Sequence, residues 1–411
     1  MKAVVFTLGC KVNECESDAL IAALSERGFE VSDSLEPADI YIVNTCAVTR
    51  EAEKKSRQAA GRIKKLNPTA CIIFTGCAAE KNPSAFEKLG HGLVTGVFGK
   101  SAIPDMLDEC GVKIFPHITE YEDMHEVKTL RTRAFIKVQD GCDNFCSYCI
   151  IPYLRGRSRS RSPQKIISEI RAVNPCEAVL TGINLSSYDF CGTDLKGLVG
   201  ALHDIKCRIR LGSLEVNVIE RDFLEKLSGL YDFAPHFHLS LQSGSNATLK
   251  KMNRKYTAEE YIRKVGLIRE YFPNAGLTTD IIAGFPTETE EDFLNTLSLV
   301  DEVGFSDIHV FTYSPRQGTA AFGMKDLPFL VKKERTERLL VKKGEAKSRF
   351  VSENSGKILD FLPEEYKDGY TEGYSGNYLR LYVEGNIPRG NIIKVKVVKH
   401  FKDGALAKIN D

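Results

Sequence analysis

The stretch GCDNFCSYC, residues 141–149, places Cys142, Cys146 and Cys149 three and then two residues apart, directly after the apolar run AFIKVQ, 134–139. A β-branched and aromatic run of this kind reads as a strand, so the three thiols sit in the loop that leaves it. Working outward, the same strand signal returns in EAVLTG (177–182), IRLGSLE (209–215), HFHLSLQ (236–242), GLTTDIIAG (276–284) and DIHVFTY (307–313). Helix-periodic segments such as SPQKIISEIRAV (162–173) and TAEEYIRKVGLIREYF (257–272) separate them. Six strand–helix alternations predict a partial (β/α)6 barrel over residues 129–346, with the cysteines at the end of its first strand.

The first part of the chain repeats another pattern. KAVVFT (2–7), DIYIVNT (39–45) and ACIIFTG (70–76) read as short buried strands, with helix-like segments such as ESDALIAALSERGF (16–29) and REAEKKSRQAAGRIKKL (50–66) between them. This βαβ alternation predicts a parallel α/β domain over residues 1–128, with functional groups beyond the carboxyl ends of the strands. Cys10, Cys46 and Cys77 fall there. The mixed, acidic segment 101–128 reads as a connection. After the basic helical segment VKKERTERLLVKKGEAKSR (331–349), the run YTEGYSGNYLRLYVEGNIPRGNIIKVKVVKHF (370–401) alternates aromatic and β-branched residues between turns. That predicts a small β-barrel over residues 347–411.

Bulk properties bound the function. A chain of 411 residues exceeds one ordinary core. Its 43% apolar and 27% charged residues are those of a soluble protein, with no run near the roughly 20 apolar residues that cross a bilayer. The N-terminus passes from a short apolar run into polar residues without a cleavage pattern, so no membrane partner and a cytoplasmic location are expected. A net charge of +1 excludes a uniformly basic protein, but not a nucleic-acid partner held by local patches. In a reducing compartment, twelve cysteines point to metal or redox chemistry before disulfides.

Zinc is the first competitor for Cys142, Cys146 and Cys149. A structural zinc site needs a closed set of four ligands, and the next cysteine, Cys176, has no partner at short spacing. On a 4Fe-4S cluster, three thiolates leave one iron open to a substrate or cofactor. Cys10, Cys46 and Cys77 end strands expected side by side in one sheet, and converge as a second trio. Cys15, Cys71, Cys110, Cys176, Cys191 and Cys207 lack such context and read as ordinary thiols.

The CxxxCxxC pattern, with Tyr148 before its last cysteine, resembles the radical S-adenosylmethionine superfamily. That resemblance implies a 4Fe-4S cluster on Cys142, Cys146 and Cys149 whose open iron is chelated by S-adenosylmethionine. It implies cofactor contacts from Thr181, Gly182 and Asn184 in LTGINL, from Ser240 and Gln242 in HLSLQSGSN, and from Asp280 and Gly284 in TTDIIAGFPTE. Glu215 in LGSLEVN resembles the family's SxEP word, with Val216 in place of proline. The words TLGCKVNECES, VNTCAVTREAEKKS and FTGCAAEK resemble the N-terminal domain of methylthiotransferases, which implies an auxiliary 4Fe-4S cluster on Cys10, Cys46 and Cys77. VTGVFGK (94–100) departs from the family's GNxEK-like word by lacking its asparagine.

For the family, the implied reaction is methylthio insertion at C2 of an adenine. One S-adenosylmethionine is the radical source and another the methyl donor, with electrons from a flavodoxin- or ferredoxin-type donor. PYLRGRSRSR matches the family's PYxRGxxxSR motif, and Arg155, Arg157 and Arg161 are expected to contact substrate. The C-terminal segment resembles a TRAM domain, which implies tRNA binding, with Tyr378 stacking on bases and Arg380 neutralising phosphate. TLGCKVN resembles the branch acting on the anticodon-loop N6-threonylcarbamoyladenosine at tRNA position 37. The alternatives are a methylthiotransferase for N6-isopentenyladenosine in tRNA and an iron–sulfur RNA-binding regulator without turnover.

Overall fold

Strands Lys2–Thr7, Ile40–Thr45 and Cys71–Gly76 lie side by side in a computed structural model, which describes residues 1–124 and 132–410. They are the centre of a six-stranded parallel sheet whose edges are Glu30–Ser32 on one side and Leu93–Thr95 and Gly111–Lys113 on the other. Alternate strand residues point to opposite faces. Val5, Ile42 and Ile73 pack with Leu20 and Leu24 of the helix Lys11–Glu26, whereas Val4, Val43 and Phe74 pack with Ala59 and Ile63 of the helix Arg50–Leu66. Gly111–Lys113 belongs to this sheet rather than to a connection. At three residues it is too short to show a strand period.

The central unit is the expected open barrel. Its parallel order runs Arg133–Lys137, Glu177–Thr181, Arg208–Leu211 with Ser213–Leu214, His236–Leu239, Gly276–Ala283 and Asp307–Thr312. The third strand is broken at Gly212: its first part pairs back to Glu177–Thr181 and its second part forward to His236–Leu239. The first and last strands do not pair with each other, so the barrel stays open. The helix Lys11–Glu26 packs on the first strand and the helix Phe329–Asn354 on the last.

Residues 346 and 347 lie within that 26-residue helix, which reaches the third unit. There, Ile358–Lys367, Tyr370–Ser375, Arg380–Glu384, Gly404–Ile409 and Ile393–Phe401 close a five-stranded barrel. It is docked tightly. Arg210 donates to the carbonyls of Ser375 and Gly376 at 3.1 and 3.0 Å, and Asn377 donates to Asn274 and Asn354, each at 3.1 Å. Among the described residues, no helix is long and apolar enough to cross a membrane.

Candidate active site

The three N-terminal thiols end three adjacent strands. Cys10 precedes the helix Lys11–Glu26, Cys46 follows Ile40–Thr45, and Cys77 opens the short helix Cys77–Lys81. Gly76 makes the last turn possible: its φ is +91°, and a Cβ there would lie 2.6 Å from the Thr45 carbonyl oxygen. Asn13 ties the loops together by donating to the carbonyls of Leu8 and Thr45 at 2.8 and 3.1 Å. Burial pushes the Cys10 thiol up and the Cys46 thiol up to about 12, while the charge of Arg155 pulls both the other way.

Beneath them lies a buried ion cluster. Arg155 is fully buried and donates through Nη1 to Glu16 (2.9 Å) and Asp140 (3.0 Å), through Nη2 to Asn13 (2.8 Å), and through Nε to Cys77 Sγ (3.3 Å). Lys100 and Lys137 also pair with Glu16, and Lys137 and Arg159 with Asp140. Four cations minus two carboxylates leaves these six residues with a formal charge of +2 in an almost dry volume. A thiolate at Cys77 would offset part of that surplus. Burial pushes the Glu16 carboxyl up, but Arg155, Lys100 and Lys137 hold it well below the usual range.

The second trio sits on the loop after Arg133–Lys137. Gly141 has a φ of +72°, and a Cβ there would meet the Arg157 carbonyl oxygen at 1.9 Å, so no other residue fits the turn. Backbone bonds from Cys142 to Gly156 (3.1 Å), Cys149 to Cys146 (2.9 Å) and Ser147 to Met252 (3.0 Å) fix the loop. Arg254 donates to Cys146 Sγ at 3.3 Å and pairs with Glu215 at 2.9 Å. Glu215 in turn accepts from Asn144 at 2.8 Å, and Asn184 reaches Cys142 Sγ at 3.9 Å. Burial pushes the Cys142 thiol up and the Cys149 thiol up to about 12. Each trio thus has one sulfur facing an arginine anchored on a carboxylate.

Both trios open on one cavity of about 980 Å³. Its lining includes all six cysteines together with Arg155, Tyr148, Thr181, Gly182, Asn184, Glu215, Ser240, Gln242, Asp280, Tyr378 and Arg380. Gln242 and Tyr378 hold φ values of +66° and +68°, which non-glycine residues rarely adopt. Gly284 is not in the lining; it packs against Lys332. Of the arginines expected as substrate contacts, Arg155 lines the cavity from within the buried ion cluster, whereas Arg161 turns inward. Arg161 is buried against Glu169 and Asp123, because the segment Ile151–Ser160 runs beneath the N-terminal domain rather than over the surface. Arg157 is exposed and pairs with Asp143 at 3.1 Å. Arg380 pairs with Glu372 and Asp403, and Tyr378 stacks between Tyr374 (4.6 Å) and His236 (4.3 Å).

Several lining residues went unread in the sequence. HFHLSLQ alternates, so His236, His238, Ser240 and Gln242 share one face, and the period of two that made it a strand also turns the two histidines to the cavity. His238 and His309 bracket Asp280 at 3.3 and 3.2 Å. Burial pushes the Asp280 carboxyl up, but the bonds from these histidines outweigh it and lower its pKa. Arg254 and Glu16 went unread because the thiol and the cations they meet lie far away in the chain.

The donor sets fit iron–sulfur clusters better than single ions. Among the described residues, only His238, Asp280 and His309 form a trio with all donor atoms within 4.8 Å, so neither cysteine trio closes that tightly. A tetrahedral zinc, with bonds of about 2.3 Å, would hold its sulfurs roughly 3.8 Å apart. A larger body belongs between these thiols.

Residues 2–99 match the uncharacterized protein family UPF0004, and residues 136–300 match the radical SAM superfamily. The chain is 36% identical to the threonylcarbamoyladenosine tRNA methylthiotransferase MtaB of Bacillus subtilis (strain 168), over 97% of this chain and 94% of that protein. The chain belongs to the radical S-adenosylmethionine methylthiotransferase family. The methylthiotransferase of the same name from Aquifex aeolicus (strain VF5) is 37% identical over 97% of this chain and all of its own length. The tRNA-2-methylthio-N(6)-dimethylallyladenosine synthase of Oceanobacillus iheyensis is also 37% identical, over 90% of this chain and 77% of that protein. In fold, the chain is similar to the radical S-adenosylmethionine methyltransferase TsrM from Kitasatospora setae, with a TM-score of 0.55 at 14% identity, over 90% of this chain and 80% of that one. The enzyme is thus a radical S-adenosylmethionine methylthiotransferase with two 4Fe-4S clusters.

Proposed function

We propose that this enzyme installs a methylthio group at C2 of N6-threonylcarbamoyladenosine in the anticodon loop of tRNA. The observation that carries the reading is the single cavity onto which both cysteine trios open, because hydrogen abstraction and sulfur insertion must reach one adenine. The cluster held by Cys142, Cys146 and Cys149 would supply, with S-adenosylmethionine, the hydrogen-abstracting chemistry, and that held by Cys10, Cys46 and Cys77 the sulfur. Tyr148, Thr181, Gly182, Asn184, Glu215, Ser240, Gln242 and Asp280 line the cavity together with the trio Cys142, Cys146 and Cys149 and would hold the cofactor there. Arg155 and Arg254 orient one thiol of each trio.

Identity alone does not separate the two adenosine branches, since relatives of both names reach 37%. Extent favours the threonylcarbamoyl branch: this chain spans 94–100% of the two MtaB relatives but 77% of the dimethylallyladenosine synthase. A small stack of Tyr374, Tyr378 and His236 at the mouth of the closed β-barrel offers a flat wall for a base. The chain works on cytoplasmic tRNA, with electrons from a flavodoxin- or ferredoxin-type donor. The test is nucleoside analysis of bulk tRNA treated with the anaerobically reconstituted enzyme, dithionite and S-adenosylmethionine. 2-Methylthio-N6-threonylcarbamoyladenosine should appear; the isopentenyl product in its place would overturn the assignment.

A further inference from the structure

The end of the cavity farthest along His236–Leu239 from Ser240 is built differently from the rest. Three units meet there: Lys11 from the first helix, Arg133 from the first barrel strand, and Tyr378 from the closed β-barrel, with His236 packed on the tyrosine ring. Arg133 Nε pairs with Glu364 at 2.6 Å, but its Nη1 is buried and has no hydrogen-bond partner among the described residues. Arg159, Arg208, Arg316 and Arg335 also carry a buried nitrogen without a hydrogen-bond partner among the described residues, but of the five only Arg133 lines the cavity, where an acceptor could reach it. Lys11 has no carboxylate partner among the described residues either.

The surrounding charges do not neutralise this corner. Arg210 lies over the Tyr378 ring at 5.0 Å, and its own charge is matched by the two oxygens of Glu177 at 2.7 and 3.0 Å. Of the other acids of the cavity wall, Asp280 is engaged by two histidines, Asp307 by Lys343 and Lys347, Asp403 by Arg380 and Glu215 by Arg254, while Glu14 lies on the helix that carries Lys11. Burial pushes the Tyr378 hydroxyl up, yet Lys11, Arg133 and Arg210 outweigh it and bring its pKa below a phenol's ordinary value. Lys11 and Arg133 against Glu364 give these three residues a formal charge of +1.

We propose that Arg133, Lys11 and the Tyr378 hydroxyl form a subsite for a carboxylate carried by the adenosine's N6 substituent, and that this subsite sets the choice between threonylcarbamoyl and isopentenyl adenosine. This rests on the threonylcarbamoyl reading given above. A threonylcarbamoyl group ends in a carboxylate several bonds beyond the purine, whereas an isopentenyl group is apolar and would leave the Arg133 Nη1 donor buried without a partner. A backbone phosphate has the same charge, but it belongs to the strand outside the cavity. Arg133 is only 12% exposed, within reach of a nucleotide turned into the cavity.

The test uses the full-length reconstituted enzyme and three anticodon stem-loop RNAs, whose loop adenosine carries threonylcarbamoyl, its methyl ester, or isopentenyl. Binding is read by fluorescence anisotropy, and cluster content and circular dichroism check the fold. Wild type should bind the free acid roughly tenfold to a hundredfold more tightly than the ester. Arg133→Met and, independently, the partly exposed Lys11→Met should shrink that ratio towards one, with Arg133→Lys restoring part of it. Equal binding of acid and ester by wild type overturns the subsite, and so does an Arg133→Met variant that weakens all three RNAs by one factor, as loss of a phosphate contact would. If the enzyme modifies the threonylcarbamoyl RNA yet ignores esterification, the subsite falls and the substrate assignment stands. Turnover of the isopentenyl RNA alone removes both.

Discussion

Arg155→Met perturbs the point where protein electrostatics meets the N-terminal thiols. The variant removes the Nε–H bond to Cys77 Sγ and one of four cations in the buried cluster, so the formal charge there drops from four minus two to three minus two. Glu16 keeps Lys100 and Lys137, and Asp140 keeps Lys137 and Arg159, so neither carboxylate is stranded and the fold should survive. The bonds from Arg155 to Glu16, Asp140 and Asn13 are lost as well, but what the sulfur itself loses is one charge-assisted bond, worth about 1.5–3 kcal/mol. At about 1.4 kcal/mol per decade, that is roughly a tenfold to hundredfold weaker hold on a cluster bridging Cys10, Cys46 and Cys77. The assay is anaerobic iron release to a chelator, followed in a background carrying Cys142→Ala, Cys146→Ala and Cys149→Ala so that only this cluster is read. Arg155→Lys, which keeps the charge but not the fork, should fall between the two. If Arg155→Met retains iron as tightly as the parent, the buried cations do not support the thiolates and the electrostatic account fails.

Replacing Cys142, Cys146 and Cys149 by Ala should abolish 5′-deoxyadenosine formation. Replacing Cys10, Cys46 and Cys77 should leave it intact while stopping sulfur insertion, both measured by chromatography of the reaction mixture. Gly141→Ala forces a Cβ to within 1.9 Å of the Arg157 carbonyl oxygen, so the purified variant should carry about four irons per chain instead of about eight. Burial, aided by Arg210, holds the His236 pKa well below its ordinary value, so His236 stays neutral in the fold while the unfolded chain takes up a proton below about pH 6.5. The contribution of His236 is therefore present above that pH and lost as pH falls, by at most about 1.4 kcal/mol per unit. A rise in the opening equilibrium of Tyr370–Ser375 between pH 6.5 and 5, read from amide exchange after correction for the intrinsic exchange rate at each pH and flattened by His236→Gln, would show it.

How far the sequence could be read follows from which interactions are local. Cys142, Cys146 and Cys149 share eight residues of chain, and Cys10, Cys46 and Cys77 each end a strand, so strand periodicity carried both trios to their sites. Tyr378 was legible as an aromatic beside a turn, but not as a ring pressed on His236, because that stack exists only once the closed β-barrel docks on the open one. The arginine run was read for substrate contact, and its ion pairs were not legible: Arg155 and Arg161 are buried against Glu16, Asp140 and Glu169. A carboxylate that comes from 139 residues away leaves no mark near the arginine it will bind.

The same reasoning explains why the cavity sits where three units meet. The open barrel leaves its first and last strands each with one free edge, and the N-terminal helix packs on the first and the long helix on the last. That arrangement brings the strand ends carrying Cys10, Cys46 and Cys77 over the loop carrying the second trio. It also leaves Arg133, at the start of the first strand, lining the same cavity as Lys11 and Tyr378. A closed barrel would have paired that strand and filled the gap with side chains. Openness is therefore what places a positively charged corner and two sets of thiols on a single chamber. A domain swap that closed the barrel should remove all three together.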